Sequence, residues 1–426
     1  MSIIKDIKKA KKKILDISGR FDLSKRKLEL KAVEKICENV KTQGDKALIF
    51  YTSKFDGVNL KNIKVSISEI NNAPEHISKS LLKSISKAIG RITAFQKTNV
   101  PSTWIKTFSL KEKLGYKYEP LESVGVYIPG GKIPLISTVL MTVIPAKVAG
   151  VKRIAVFTPP LVHKGILAAC KLLKINEVYQ IGGAQAIFAG AYGTKTIKPV
   201  DKIVGPGNIY VTLAKKIVFG KVGIDGLYGP SEIAIIADKS AKPEYLAMDL
   251  LSQLEHGSGL ESAFMVTNSE KLAKETQNTL FRFAKHLTNK KTVLNSWKKN
   301  SAIIVVRDLN KAVELINMLS PEHLEIVTKN PFSLLNKIKH AGAVFLGEYS
   351  CESIGDYIAG PSHCLPTGGS ARFSSGLTVM DFMKKISVIS FDKKSFNKVA
   401  KDVVELAYAE KLKAHGDAVR IRLDHD

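Results

Sequence analysis

Histidine and cysteine are scarce in this chain of 426 residues, which holds nine of the first and four of the second. Cys37, Cys170, Cys351 and Cys364 are widely spaced and form no CxxC, so neither a zinc ribbon nor a disulfide framework is suggested. Small buried thiols are the simpler reading. No run approaches the ~18 consecutive apolar residues of a membrane span. The N-terminal "MSIIKDIKKAKKKILDI" carries charges where a signal peptide needs an apolar core. It reads as an amphipathic basic helix, and the chain is expected in the cytoplasm. A full GxGxxG is missing, so the dinucleotide fingerprint is absent. No zinc-finger spacing or RNA-binding aromatic signature accompanies the net charge of +26. That charge is mostly lysine spread along the chain, and reads as solvated faces and not as a site for specific nucleic acid.

What is present is an alternation of two textures. Residues 24–55 are apolar and charged at helical spacing, with Gly44 as a helix end, and 76–97 look helical again. From about residue 120, β-branched runs alternate with helical patterns: "RIAVFTPP" (153–160), "EVYQIGGAQAIFAG" (177–190), "DKIVGPGNIYVTLAKKIV" (201–218), "EIAIIAD" (232–238), "SAFMVTN" (262–268), "SAIIVVRD" (301–308) and "AGAVFLG" (341–347). Strands alternating with helices imply parallel sheets covered on both faces. The two clusters of strands imply two such units. In sheets of this kind ligands bind beyond the carboxyl ends of the strands. The Gly-rich turns "YIPGG" (127–131), "IGGAQ" (181–185) and "GPGN" (205–208) fall there. Their amides can approach phosphates closely, though plain tight turns look the same.

Four segments can carry chemistry. In "LLSQLEHGSG" (250–259), Gln253 and His256 are three apart and share a helix face, which suits a common metal; a helix end capped by Gly257 is the plainer alternative. "ESIGDYIAGPSHCLPTGGSARFSSG" (352–376) holds Asp356 and His363 in a long polar loop whose aromatic residues argue against disorder. "AEKLKAHGDAV" (409–419) places Glu410 and His415 near the C-terminus, where ordinary surface charges are also common. "SPEHLEIV" (320–327) sets Glu322 directly before His323. Ser320 reads as an N-cap and Pro321 as the first helical residue, which would put Glu322 and His323 in a helical first turn. There the dipole would favour a neutral imidazole, poised as a general base.

In this order, "VGVYIPGG", "IGGAQAI", "VGPGN", "YGPSE", "LLSQLEHG", "SPEHLE", "GDYIAGPSHCLPTGGSARFSSGL" and "EKLKAH" make a specific set, and from about residue 20 to 420 the chain resembles the histidinol dehydrogenase family. The resemblance implies an NAD-dependent oxidation of L-histidinol to L-histidine, the last steps of histidine biosynthesis. It implies one zinc per site on Gln253, His256, Asp356 and His415, with Glu322 and His323 catalytic. Substrate contacts fall on Ser231, Gln253, His256, His323, Asp356, His363, Glu410 and His415, and NAD contacts on Tyr127, Gln185 and Asn208. It implies a homodimer with shared active sites, in which the tail brings Glu410 and His415 to the partner. The expected α/β fold has two incomplete Rossmann-like domains, one of 21–126 with 232–377 and one of 127–231, beside an N-terminal helical segment (1–20) and an exchanged tail (378–426). Two departures from the family stand out: Lys411 where glycine is frequent, and Ser258 where proline is common after His256. The rival readings are a different zinc enzyme on the same scaffold and a basic nucleic-acid-binding protein.

Overall fold

The computed structural model describes residues 3–19, 22–130 and 134–423, so that Gly131 of the first glycine turn lies outside the described residues. Two compact units result, Met1–Asn99 with Leu121–Phe382, and Val100–Pro120 with Met383–Asp426. In chain order the strands are β1 (Trp104–Thr107), β2 (Lys113–Pro120), β3 (Ser123–Tyr127), β4 (Arg153–Phe157), β5 (Val178–Tyr179), β6 (Lys202–Val204), β7 (Gly223–Ile224), β8 (Glu232–Ala237), β9 (Ser262–Thr267), β10 (Ala302–Val305), β11 (His323–Val327), β12 (Ala343–Leu346) and β13 (Met383–Ser390).

The larger unit contains two five-stranded sheets. One has the order β5-β4-β3-β6-β7 and the other β10-β9-β8-β11-β12, and every pairing in both is parallel. In β8 and β9 all six residues are buried, as expected of parallel strands with helices on both faces. Successive side chains alternate between those faces. Ile233 and Ile235 pack with Leu250 and Trp297 on one side. Ala234 and Ile236 pack on the other, with Leu315 and Ile316 of helix Leu309–Leu319. The basic N-terminal helix Ile7–Ser18 joins this second face through Ala10, Ile14 and Ile17.

Gly44 separates helices Lys27–Gln43 and Asp45–Asp56. Their buried residues Val33, Ile36, Val40 and Leu48 belong to the core of the other sheet, with Phe157 and Phe188. These two helices thus pack on the sheet that contains β3, while β1 and β2 belong to the smaller unit. There β2 pairs antiparallel with both β1 and the tail strand β13. Helices Lys393–Ala409 and Lys413–Arg420 follow in that unit. All four cysteines are free, and Cys37, Cys170 and Cys364 are buried. Among the described residues no helix is long and apolar enough to cross a membrane.

The stretch 320–327 is not a helix start. Helix Leu309–Leu319 ends there, with Ser320 in the left-handed region at φ 51°. The Ser320 hydroxyl donates backward to the Asn317 carbonyl at 3.0 Å, so it caps no following helix. The chain then enters β11 directly. Burial of Leu324 and Ile326 between two parallel neighbours outweighs the local capping signal. The dipole argument for a neutral His323 falls with the helix.

Candidate active site

His323 opens β11, beside Ile233 near the start of β8 and Ala343 at the start of β12. The cluster around it therefore sits at the amino edge of its sheet, not at the carboxyl edge. The helix Pro243–Leu254, which follows β8, returns to that edge and delivers Gln253, which is fully buried. His256 lies two residues beyond the helix, so the expected shared helix face is replaced by a turn. There His256 Nδ1 donates to the Gln253 carbonyl at 3.0 Å. The short helix Glu352–Tyr357 presents Glu352 and Asp356 one turn apart.

His323, Glu352 and Asp356 offer ligand atoms that all lie within 4.8 Å of one another. His323 is only 3% exposed, and its Nδ1 lies 3.1 Å from the Glu232 carbonyl, which can only accept. That fixes the proton on Nδ1 and leaves Nε2 facing Asp356 Oδ1 at 3.6 Å. Among the described residues neither Nε2 nor Oδ1 has a hydrogen-bond partner. The buried Glu322 carboxylate accepts the Glu232 N–H at 3.0 Å and comes within 3.7 Å of His323 Nδ1. One terminal atom of the Gln253 amide lies 3.0 and 3.2 Å from the two Glu352 carboxylate oxygens and 3.1 Å from His323 Nδ1.

Burial sets the electrostatics. Desolvation pushes Glu322 and Glu352 each up to about 8, against the pull of His323. Desolvation also disfavours the His323 imidazolium, but Glu352, Glu322 and Asp356 outweigh it and hold its pKa well above the ordinary value. Asp356 goes the other way: burial would raise it, and the nearby positive charge of His323 keeps it low. His363 is lowered by desolvation; its Nδ1 donates to the Asp356 carbonyl at 3.1 Å and its Nε2 lies 3.2 Å from the Thr138 hydroxyl.

Most of the expected site residues thus meet in one neighbourhood. Ser231 directly precedes β8 at the same edge, and its carbonyl accepts from Ser262 N–H at 3.1 Å. Glu410 and His415 lie in the smaller unit, exposed, at the end of Lys393–Ala409 and on Lys413–Arg420. The donors present, imidazole, carboxylate and amide, fit a divalent cation such as zinc, and the unpartnered Nε2 and Oδ1 face the space such an ion or a polar substrate would use. Glu352 was not among the residues expected from sequence. Its i, i+4 spacing from Asp356 in "ESIGD" was the available signal.

A second site lies beyond the carboxyl ends of β3, β5 and β6. A cavity of about 750 Å³ is lined by Tyr127, Gln185 and Asn208 together with Lys54, Phe55 and Asp56. Gln185 is 1% exposed, yet among the described residues neither its amide oxygen nor its nitrogen has a partner. A buried amide without partners inside a cavity is costly unless a ligand satisfies it. The Tyr127 phenol, pushed up to about 12 by burial, accepts the Gly183 N–H at 3.0 Å. Asn208 caps helix Ile209–Val218 through the amides of Tyr210 and Val211.

Comparison with known proteins gives one consistent result. The family model described as histidinol dehydrogenase matches residues 20–423. The chain is 45% identical to a histidinol dehydrogenase of Carboxydothermus hydrogenoformans over 424 residues, 98% of this chain and 99% of the relative. It is 47% identical to one of Caldanaerobacter subterraneus subsp. tengcongensis over 418 residues, 96% of each chain. The crystal structure of histidinol dehydrogenase from Elizabethkingia anophelis superposes with a TM-score of 0.89 at 40% identity, covering 92% of both chains.

Proposed function

The chain belongs to the histidinol dehydrogenase family, and from that premise we propose that it oxidises L-histidinol through histidinal to L-histidine, reducing two NAD+ in turn, as a zinc-dependent homodimer in the cytoplasm. The observation that carries this reading is the pair of buried, unpartnered atoms His323 Nε2 and Asp356 Oδ1 beside Glu322. Gln253, His256 and Asp356 would hold the zinc together with His415, and Glu410 and His415 would come from the tail of a second copy. The smaller unit that carries them exposes Ile389, Leu406 and Ile421, apolar side chains that a partner subunit would cover. When bound, zinc would orient the imidazole and amine of histidinol, and the nicotinamide held near Tyr127, Gln185 and Asn208 would accept hydride.

His323 takes the alcohol proton at Nε2, because Nδ1 is committed to the Glu232 carbonyl. Three neighbouring carboxyl groups would otherwise keep the imidazole protonated. Asp356, with its charge engaged by a bound divalent cation, would press less on His323 and leave the imidazole closer to a basic form. Glu322 draws a proton from the water that adds to the aldehyde, and His323 serves again when the hydrate is oxidised. Ser231 and His363 line the substrate side, and burial keeps bulk water from the aldehyde. The test is to follow NADH formation by His323→Asn with histidinol and, separately, with histidinal. Loss of histidinol oxidation by about 10²–10⁴-fold is expected of a missing general base. A near wild-type rate would end the assignment.

A further inference from the structure

Beside the "GPGN" turn lies an ion pair that the proposed chemistry leaves without a role. The side chains of Lys215, on helix Ile209–Val218, and Asp225, which follows β7, are 2% and 1% exposed. Lys215 Nζ bonds directly to Asp225 Oδ1. Burying both charges is expensive unless further hydrogen bonds satisfy them, and a purely apolar pair would pack as well. Here two of the further bonds, one from each partner, fall on a single residue, Gly205. Lys215 Nζ donates to the Gly205 carbonyl at 3.0 Å, and the Gly205 N–H donates to Asp225 Oδ2 at 2.6 Å. The Gly226 N–H adds a bond to Asp225 Oδ1 at 2.8 Å, and Nζ sits 4.7 Å from the centre of the Tyr228 ring.

Gly205 is the first residue of "GPGN", between β6 and the helix that Asn208 caps. Its φ is +112°, and a Cβ there would stand 2.1 Å from the Tyr127 carbonyl oxygen. The peptide therefore touches Tyr127 on one side and leads to Asn208 on the other. Both of those residues line the cavity.

We propose that the Lys215–Asp225 pair is a positioning device for the dinucleotide pocket, gripping the Gly205 peptide so that Tyr127 and Asn208 are held at the spacing the ligand needs. This rests on the reading of that cavity as the NAD site. It explains why charge is kept in a place where packing alone would favour hydrocarbon. Neither side chain touches the ligand, so the pair acts through Gly205.

The experiment measures NADH binding to the metal-loaded enzyme by fluorescence, beside separate KM values for NAD+ and L-histidinol and the thermal midpoint. The variants are Asp225→Asn and Lys215→Gln, each keeping one hydrogen-bonding group, with Gln185→Leu as the control inside the pocket. The expected result is NADH binding weaker by about 10-fold or more in the two pair variants, the scale set by small misplacements and lost supporting shells. Histidinol KM should stay within about twofold, as for an independent site. Folded pair variants that bind NADH like wild type while Gln185→Leu does not would overturn the positioning role alone. Equal losses for NAD+ and histidinol would also overturn it, since a general loss of stability moves both. NADH binding indifferent to all three variants would overturn the pocket reading as well.

Discussion

His323 Nε2 faces Asp356 Oδ1 across 3.6 Å inside the protein, and among the described residues neither atom has a hydrogen-bond partner. Such a gap is too long for a hydrogen bond and too costly to keep unless something polar enters it. Asp356→Asn should therefore lower bound zinc, with affinity falling by at least about 10–100-fold. Metal analysis after dialysis against a weak chelator measures this. Full occupancy in that variant would take Asp356 out of the ligand set.

Glu322 is pushed up to about 8 by burial, so near neutral pH much of it is protonated and unable to act as a base. The rate of histidinal oxidation should rise with pH along a limb whose midpoint lies at or below about 8, because a bound cation favours the carboxylate. Glu322→Gln removes the base and the limb together. A pH profile of the aldehyde step that is unchanged in shape by Glu322→Gln would contradict the water-activating role.

Lys411 occupies the left-handed region at φ 62°, which glycine adopts without strain. A side chain there is strained by roughly 1–2 kcal/mol. Part of that gain is lost to the greater freedom of glycine in the unfolded chain. Lys411→Gly should raise stability by about 0.5–1 kcal/mol, read as an increase in the denaturant midpoint with an unchanged slope.

A shared site predicts complementation. His323→Asn and His415→Asn chains, each inactive alone, should recover partial activity when mixed under conditions of subunit exchange. Exchange demonstrated without recovery would count against a tail that crosses to the partner.

Most of the parallel strands are legible from apolar runs such as 233–237 in β8 and 263–266 in β9, and the helices at 27–43 and 45–56 because Gly44 punctuates a clear helical period. β1 and β2 are not, since half-buried stretches such as "KLGYKYEP" carry little apolar signal and acquire strand form from β13, more than 260 positions away in the register Tyr116↔Ser387. In "SPEHLEIV" the local cue Ser-Pro-Glu points to a helix start. What decides it is long-range: Glu325 is buried and accepts the Glu352 N–H at 2.8 Å, and His323 is met by the Glu232 carbonyl. Spacing brought Glu322 and His323 into view, but only the fold shows that Glu352 stands beside them and that Gln185 lacks a partner among the described residues.

The central claim is tested most directly by stoichiometry. Purified enzyme loaded with zinc is given limiting L-histidinol and excess NAD+, and both NADH and the organic product are quantified at completion. The account predicts two NADH and one L-histidine for each histidinol consumed, with no free histidinal building up. One NADH per histidinol with released aldehyde, or consumption of histidinol without any NADH, would contradict it.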